Sequence, residues 1–255
     1  VADSSGGTKK LQRWFDDDEA RRRARKALFL SIGLTIALYH IPFGYWVAYP
    51  LTLFSTLVHE LGHGLASLAT GGSFNYLHVF ADTSGVAQTG PSSALAQAAV
   101  SAGGLVGPAV FAGVGFAVCT RERGSRIFLG VLTIGLALAT ALFVRNAFGI
   151  VFTLLVVAGL GWTVIRTSVS TQQLVALFIS AQMALSVFSR GDYLFTDTAH
   201  TGAGELPSDV AKMAKVLGGT YWMWGLVCGA FSILVLSLGV WLFLRRITPK
   251  PVSTI

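Results

Sequence analysis

Long apolar runs separated by polar breaks dominate the chain. They cover about residues 27–49, 50–72, 93–119, 127–144, 147–165, 174–188 and 221–244. Most approach the roughly 20 residues that an α-helix needs to cross a bilayer. The pattern predicts a membrane helical bundle of about six or seven spans. Pro42 marks a kink or an end in the first run, Pro50 suits the first turn of the second, and Pro108 bends the third. The third run also holds "SAGGLVGPAVFAG", whose small residues permit close helix packing. Two breaks are long. Residues 73–92 alternate polar and apolar positions and end in Gly and Pro, which predicts a short hairpin or re-entrant strand region. Residues 189–219 gather the carboxylates Asp192, Asp197, Glu205 and Asp209.

Composition strengthens this reading. Of 255 residues, 53% are apolar and only 12% charged, against roughly 25% charged in a soluble domain. Mean hydropathy is +0.64. The net charge of +7 would suggest nucleic acid in a soluble protein. Here the basic residues flank apolar runs, in "RRRARK" (21–26), "RERGSR" (121–126) and "RR" (245–246), and read as orientation and headgroup signals. No nucleic-acid partner is expected. The positive-inside rule places these three segments on one side of the membrane. Cys119 and Cys228 make neither a disulfide framework nor a Cys-rich metal site.

The expected organisation is a polar N-terminal tail over 1–26, a membrane domain over 27–244 and a C-terminal tail over 245–255. The fold class is all-α: a polytopic membrane helical bundle with a strand excursion after its second helix. The "WFDDDEARRRARKA" segment of the tail suits an interfacial helix as well as a solvated tail, with acids early and bases late. The first apolar run reads as a retained span, not a cleaved signal. The chain is expected in a membrane, as an integral multi-pass protein.

The candidate chemistry lies inside the second run. "HELGH" places His59 and His63 at i and i+4, on one helix face, where both can offer a ring nitrogen to one ion. Glu60 can reach water at that ion without ligating it and take its proton. Each ionisable group near a bilayer centre costs about 2.5–3.5 kcal/mol, and three within five residues need compensation. A bound dication supplies it. A catalytic zinc usually takes three protein ligands and keeps one position open. The residues offer several third ligands: Asp192 first, with Asp82, His78, Asp197 and Asp209 as alternatives. His40, in the first run, is a cavity-lining or packing residue.

These residues bring a resemblance into view. "VHELGHGLASLATGG" resembles the site-2 protease family of intramembrane zinc metallopeptidases, and more closely its compact bacterial, fungal and algal peptidase-like branch. "SAGGLVGPAVFAG", "VRNAFG", "SVFSRGDYLF" and "LPSDVAKMAKVLGGTYWMWG" look like the later segments of that branch, in the expected order. The resemblance covers roughly residues 27–244. It implies a Zn2+ cofactor with His59, His63 and Asp192 as ligands and Glu60 as general base. "SRGDYLFTDTAH" departs from the N-x-x-P-x-x-x-x-D-G pattern that better-known members carry around their ligand Asp.

Two functions follow. The first is a zinc endopeptidase that cleaves membrane-embedded protein or peptide substrates in contact with lipid. The strand region, with Phe74, Tyr76 and His78, would then bind an unwound substrate by β-addition. The alternative is a non-catalytic subunit of a larger membrane complex that keeps the fold and the ion.

Overall fold

The computed structural model describes residues 4–40, 44–189 and 194–248. Eight α-helices and two hairpins follow one another: α1 Ser4–His40, α2 Gly44–Ala69, β1 Ser73–Val79, β2 Gly85–Gly90, α3 Ala94–Val118, α4 Glu122–Leu142, α5 Ala147–Arg166, α6 Val169–Ser189, β3 Thr198–Thr201, β4 Gly204–Pro207, α7 Asp209–Leu217 and α8 Tyr221–Ile247. The expected helical bundle with a hairpin after the metal-binding helix is present.

The span count differs from the expectation. Among the described residues five helices, α3, α4, α5, α6 and α8, are long and apolar enough to cross a membrane, not six or seven. The physical reason lies in the two helices that fall short. The apolar part of α1 continues directly from the basic stretch 21–26, so the expected tail and first span share one helix. In α2 the charged and hydroxyl side chains around "HELGH" dilute an otherwise apolar segment. Pro50 is not the first residue of α2 either; it sits inside the helix, which starts at Gly44.

Small residues set the helix packing. A methyl on Gly62 of α2 would fall 2.3 Å from the Gly103 carbonyl oxygen of α3, so the two backbones touch. Gly239 of α8 meets Gly113 of α3 in the same way, with a hypothetical Cβ 2.5 Å from its Cα. α3 is therefore the central helix, flanked by α2 and α8. Its "SAGGLVG" stretch acts as expected for close packing in a membrane. The apolar core runs through Leu53 and Leu57 of α2, Ala109 and Ala112 of α3, Leu129 of α4, and Leu177 and Met183 of α6. Large apolar residues on α4, α5 and α8, such as Val131, Leu155 and Leu234, face outward, as a lipid-contacting surface requires.

The hairpin is antiparallel, with an irregularity between Phe74 and Tyr76. The segment after α4 closes its outer β1 edge. Leu77 donates to the Phe143 carbonyl and accepts from the Arg145 amide, at 2.9 and 3.2 Å. The Asn146 side chain completes the edge: its amide nitrogen donates to the Val79 carbonyl and its oxygen accepts from the Val79 amide. β2 is thus the end strand of the sheet. The second long break, with no secondary structure expected in it, holds β3, β4 and α7.

Candidate metal centre

His59 and His63 lie one turn apart on α2, as the i, i+4 spacing requires. Their Nε2 atoms are 3.1 Å apart, with the rings at 87° to one another. A carboxylate joins them. Asp209 Oδ2 lies 3.2 Å from His59 Nε2 and 3.2 Å from His63 Nε2. Three donor atoms form a nearly equilateral triangle, and Asp209 is buried at its third corner.

α7 delivers that carboxylate. Ser208 caps the helix, accepting from the Ala211 amide at 3.1 Å. The Ser208 hydroxyl donates to the Thr196 carbonyl and its amide to the Asp197 carbonyl, at 2.6 and 2.8 Å. Val210 and Met213 then bury one face of α7 against Ala98 and Leu105 of α3 and Cys228 of α8. With its cap tied down and its apolar face docked, α7 holds its first residue, Asp209, over the histidines. Lys212, one turn on, pairs with Asp209 Oδ1 at 3.2 Å. Burial works against the Asp209 charge, yet the two histidines and Lys212 hold its carboxyl well below the usual carboxylate range.

The donor set fits a metal ion. His63 Nδ1 lies 2.7 Å from the Val100 carbonyl of α3, which can only accept. Nδ1 therefore carries the proton, and in the neutral ring the Nε2 lone pair points into the triangle. Facing it is a carboxylate oxygen, also an acceptor, at 3.2 Å. A proton on Nε2 or a metal cation between them resolves that conflict, and the three converging donor atoms suit the cation. Zinc bonds of about 2.0–2.1 Å in a tetrahedron set ligand atoms roughly 3.3 Å apart, close to the 3.1–3.2 Å edges here. Two histidines and a carboxylate are also a known catalytic zinc donor set, with a fourth position left open.

Gly104 makes room for His63. A methyl there would meet the ring at 2.2 Å from Cε1 and 2.3 Å from Nε2. The buried Glu60 lines the same cavity as the triad, a space of about 70 Å3. That is enough for a few waters. β2 forms one wall through Gly85, Val86, Ala87 and Thr89, and the second hairpin and α7 form another. Gly85 abuts the glutamate, since a Cβ on it would fall 2.9 Å from Glu60 Oε1. The two hairpins meet where the Gly202 amide donates to Ser84 Oγ at 2.8 Å. On its other side His59 borders a smaller space of about 40 Å3, lined also by Ser55, Pro108, Ser186 and Ser232.

The other sequence candidates sit elsewhere. Asp192 lies outside the described residues, as does the side chain of His40. Asp82 is exposed in the β1–β2 turn, where its Oδ1 accepts from the Ser84 amide and hydroxyl at 2.9 and 2.6 Å. Asp197 is exposed before β3. Phe74 is buried, stacked on Phe143 with ring centroids 4.1 Å apart and filling the space left by Gly64. Tyr76 and His78 stack on one another at 4.7 Å. None of these three is among the residues described as lining the triad's cavity. Asp209 was one of several carboxylates in sequence because an acid after a capping serine also reads as ordinary helix capping. Its one distinguishing signal was the apolar pair Val210 and Met213, which docks the helix inward.

No curated protein and no solved structure matches the chain. The family model described as Peptidase M50B-like matches residues 29–239. That match takes in "HELGH", both hairpins, the small-residue helix and the "SD" that opens α7, and the chain belongs to the Peptidase M50B-like family.

Proposed function

We propose that the protein is an intramembrane zinc metalloendopeptidase with His59, His63 and Asp209 as metal ligands and Glu60 as general base. The observation that carries this is the triangle of three donor atoms in one cavity with a second, non-ligating carboxylate. A zinc ion bound there supplies Lewis-acid polarisation of a peptide carbonyl and acidifies water to a pKa of about 7. Glu60 takes the proton from attacking water and returns it to the leaving amine. Val100 holds His63 in the required tautomer, and Lys212 steadies Asp209 from the side away from the histidines.

The substrate reading follows from the sheet. The outer edge of β1 is closed by residues 143–146, so an unwound substrate segment would add to β2, whose first residue abuts Glu60. In this reading Phe74 holds the hairpin in place, while Tyr76 and His78 act at its outer surface. A membrane-embedded helix must unwind to pair this way, because its own hydrogen bonds shield its carbonyls. α2 and the apolar part of α1 accompany the five spans in the bilayer, completing about six or seven membrane segments. The peptidase unit then occupies about residues 27–244, between tails of 1–26 and 245–255.

The test is Glu60→Gln in the purified protein. The amide is nearly isosteric and cannot accept the proton, so zinc content should stay at one per chain while cleavage of a co-reconstituted membrane substrate is lost. Unchanged cleavage would remove Glu60 from the mechanism. Absence of zinc in the wild type would remove the enzyme reading altogether.

A further inference from the structure

The cavity that holds the donor triangle also takes in side chains that a metal ion does not need. Lys212 of α7 and Gln97 of α3 line it together with Glu60. The Gln97 amide is lightly held, with Nε2 3.5 Å from Ser101 Oγ. Lys212 brings a positive charge.

Stability does not explain a lysine at this position. Lys212 is the fourth residue of α7, which starts at Asp209. The first turn of a helix carries the positive end of the helix dipole, where a cation is unfavourable. A dication in the triangle would repel it further. Its contact with Asp209 Oδ1, at 3.2 Å and three residues back on the same helix, adds little, because the Lys212 side chain is 40% exposed to solvent that screens the pair. Asp209 is aimed by the Ser208 cap and by the docking of Val210 and Met213, and neither uses the lysine. An ammonium has three N–H donors, of which Asp209 Oδ1 accepts one. The flexible four-carbon stem leaves the others able to turn within the cavity.

A cation held against two unfavourable fields becomes favourable when negative charge develops beside it. In peptide hydrolysis that charge develops on the carbonyl oxygen. We propose that Lys212 is a catalytic residue whose ammonium donates a hydrogen bond to the oxygen of the scissile carbonyl as it becomes an oxyanion. This rests on the peptidase reading above. The water oxygen bonds to the carbonyl carbon, one water proton passes to Glu60, and the carbonyl π pair moves onto the oxygen that Lys212 holds. The carbon–nitrogen bond then breaks, the oxygen pair re-forms the carbonyl, and the nitrogen takes the proton from Glu60. Lys212 keeps its own protons throughout, so it acts by charge and not by proton transfer.

The test is binding to the full-length, zinc-loaded protein, measured by calorimetry in detergent. The probe is an apolar hexapeptide of alanine and leucine with a phosphinic group, P(O)O−, in place of its central amide, which carries the oxyanion's charge. The same hexapeptide with the ordinary amide is the ground-state reference, and Glu60→Gln is present throughout so that it stays uncut. Adding Lys212→Met should weaken the phosphinate at least about 30-fold, leave the amide peptide within about threefold and keep one zinc per chain. Lys212→Cys, fully alkylated with 2-bromoethylamine, regains an ammonium at the same reach and should recover the phosphinate affinity; Cys119 and Cys228 are buried away from the reagent. A lysine that only steadied Asp209 would act through the metal on both ligands alike. Equal weakening of the two peptides, loss of zinc in Lys212→Met, or no recovery after alkylation would each overturn the assignment. Failure of the zinc-loaded protein with Lys212 intact to bind the phosphinate at all would instead overturn the peptidase reading, and the role of Lys212 with it.

Discussion

Gly104→Ala offers the sharpest trial of the metal centre, because it touches no ligand and changes no charge. The added methyl would lie 2.2 Å from His63 Cε1, whereas ordinary Cβ contacts begin at 3.4 Å, a shortfall of about 1 Å. The ring cannot turn aside freely, since Nδ1 is held by the Val100 carbonyl at 2.7 Å. Either the ring moves by most of that distance or α3 moves away from α2. α3 cannot retreat without opening the contact between Gly62 and Gly103, where the backbones already touch. Metal–ligand bonds tolerate only about 0.2 Å of error, so a shift of this size takes His63 out of the site. Loss of a positioned ligand shell typically costs 10–100-fold in affinity, or about 1.4–2.7 kcal/mol. Overpacking costs the fold about 1–3 kcal/mol more. Gly107→Ala, one turn along the same helix, is the matched control. Its methyl would meet Gly62 Cα and the Val58 oxygen at 3.5 Å, ordinary contact distances. Zinc affinity, measured by competition with a chromogenic chelator and checked by elemental analysis, should fall at least tenfold for Gly104→Ala and stay within about twofold for Gly107→Ala. Wild-type affinity in Gly104→Ala would mean that His63 does not hold the metal in the position described.

Two further outcomes follow from the same structure. Asp209→Ala should lose zinc and cleavage together, whereas Asp197→Ala and Asp192→Ala should keep zinc; metal analysis of the three side by side decides which carboxylate completes the site, and zinc loss confined to Asp192→Ala would transfer the role to that residue. Asn146→Ala removes both hydrogen bonds to Val79, worth roughly 1–3 kcal/mol together; hydrogen exchange over residues 73–90 should quicken and cleavage decline while zinc content holds, and unchanged exchange would show that β1 is anchored by other contacts.

The sequence alone determined whatever depends on local spacing. A four-residue interval on a helix puts His59 and His63 on one face wherever that helix lies, so the two histidines of the triangle, with the neighbouring Glu60 as candidate base, were legible in five letters. Alternation followed by Gly and Pro marked β1 and β2, because a period of two suits no helix. Hydropathy marked the long spans, but it weighs each segment alone; α2 buries its polar residues against α3 and the hairpin, and only the packed bundle shows why an imperfectly apolar helix is acceptable there. The tertiary structure alone decided the third carboxylate of the triangle. Asp209 stands 150 positions from His59, and no periodicity connects residues that far apart. What brings them together is the docking of one face of α7 on α3 and α8, together with a serine cap that aims its first residue inward. The small residues near "HELGH" admit α3, because Gly62 and Gly103 are complementary where the two backbones touch. Sequence supplies the chemistry a helix can present; which helix faces which is set by how side chains of different sizes fit, and that is decided only when all of them are packed at once.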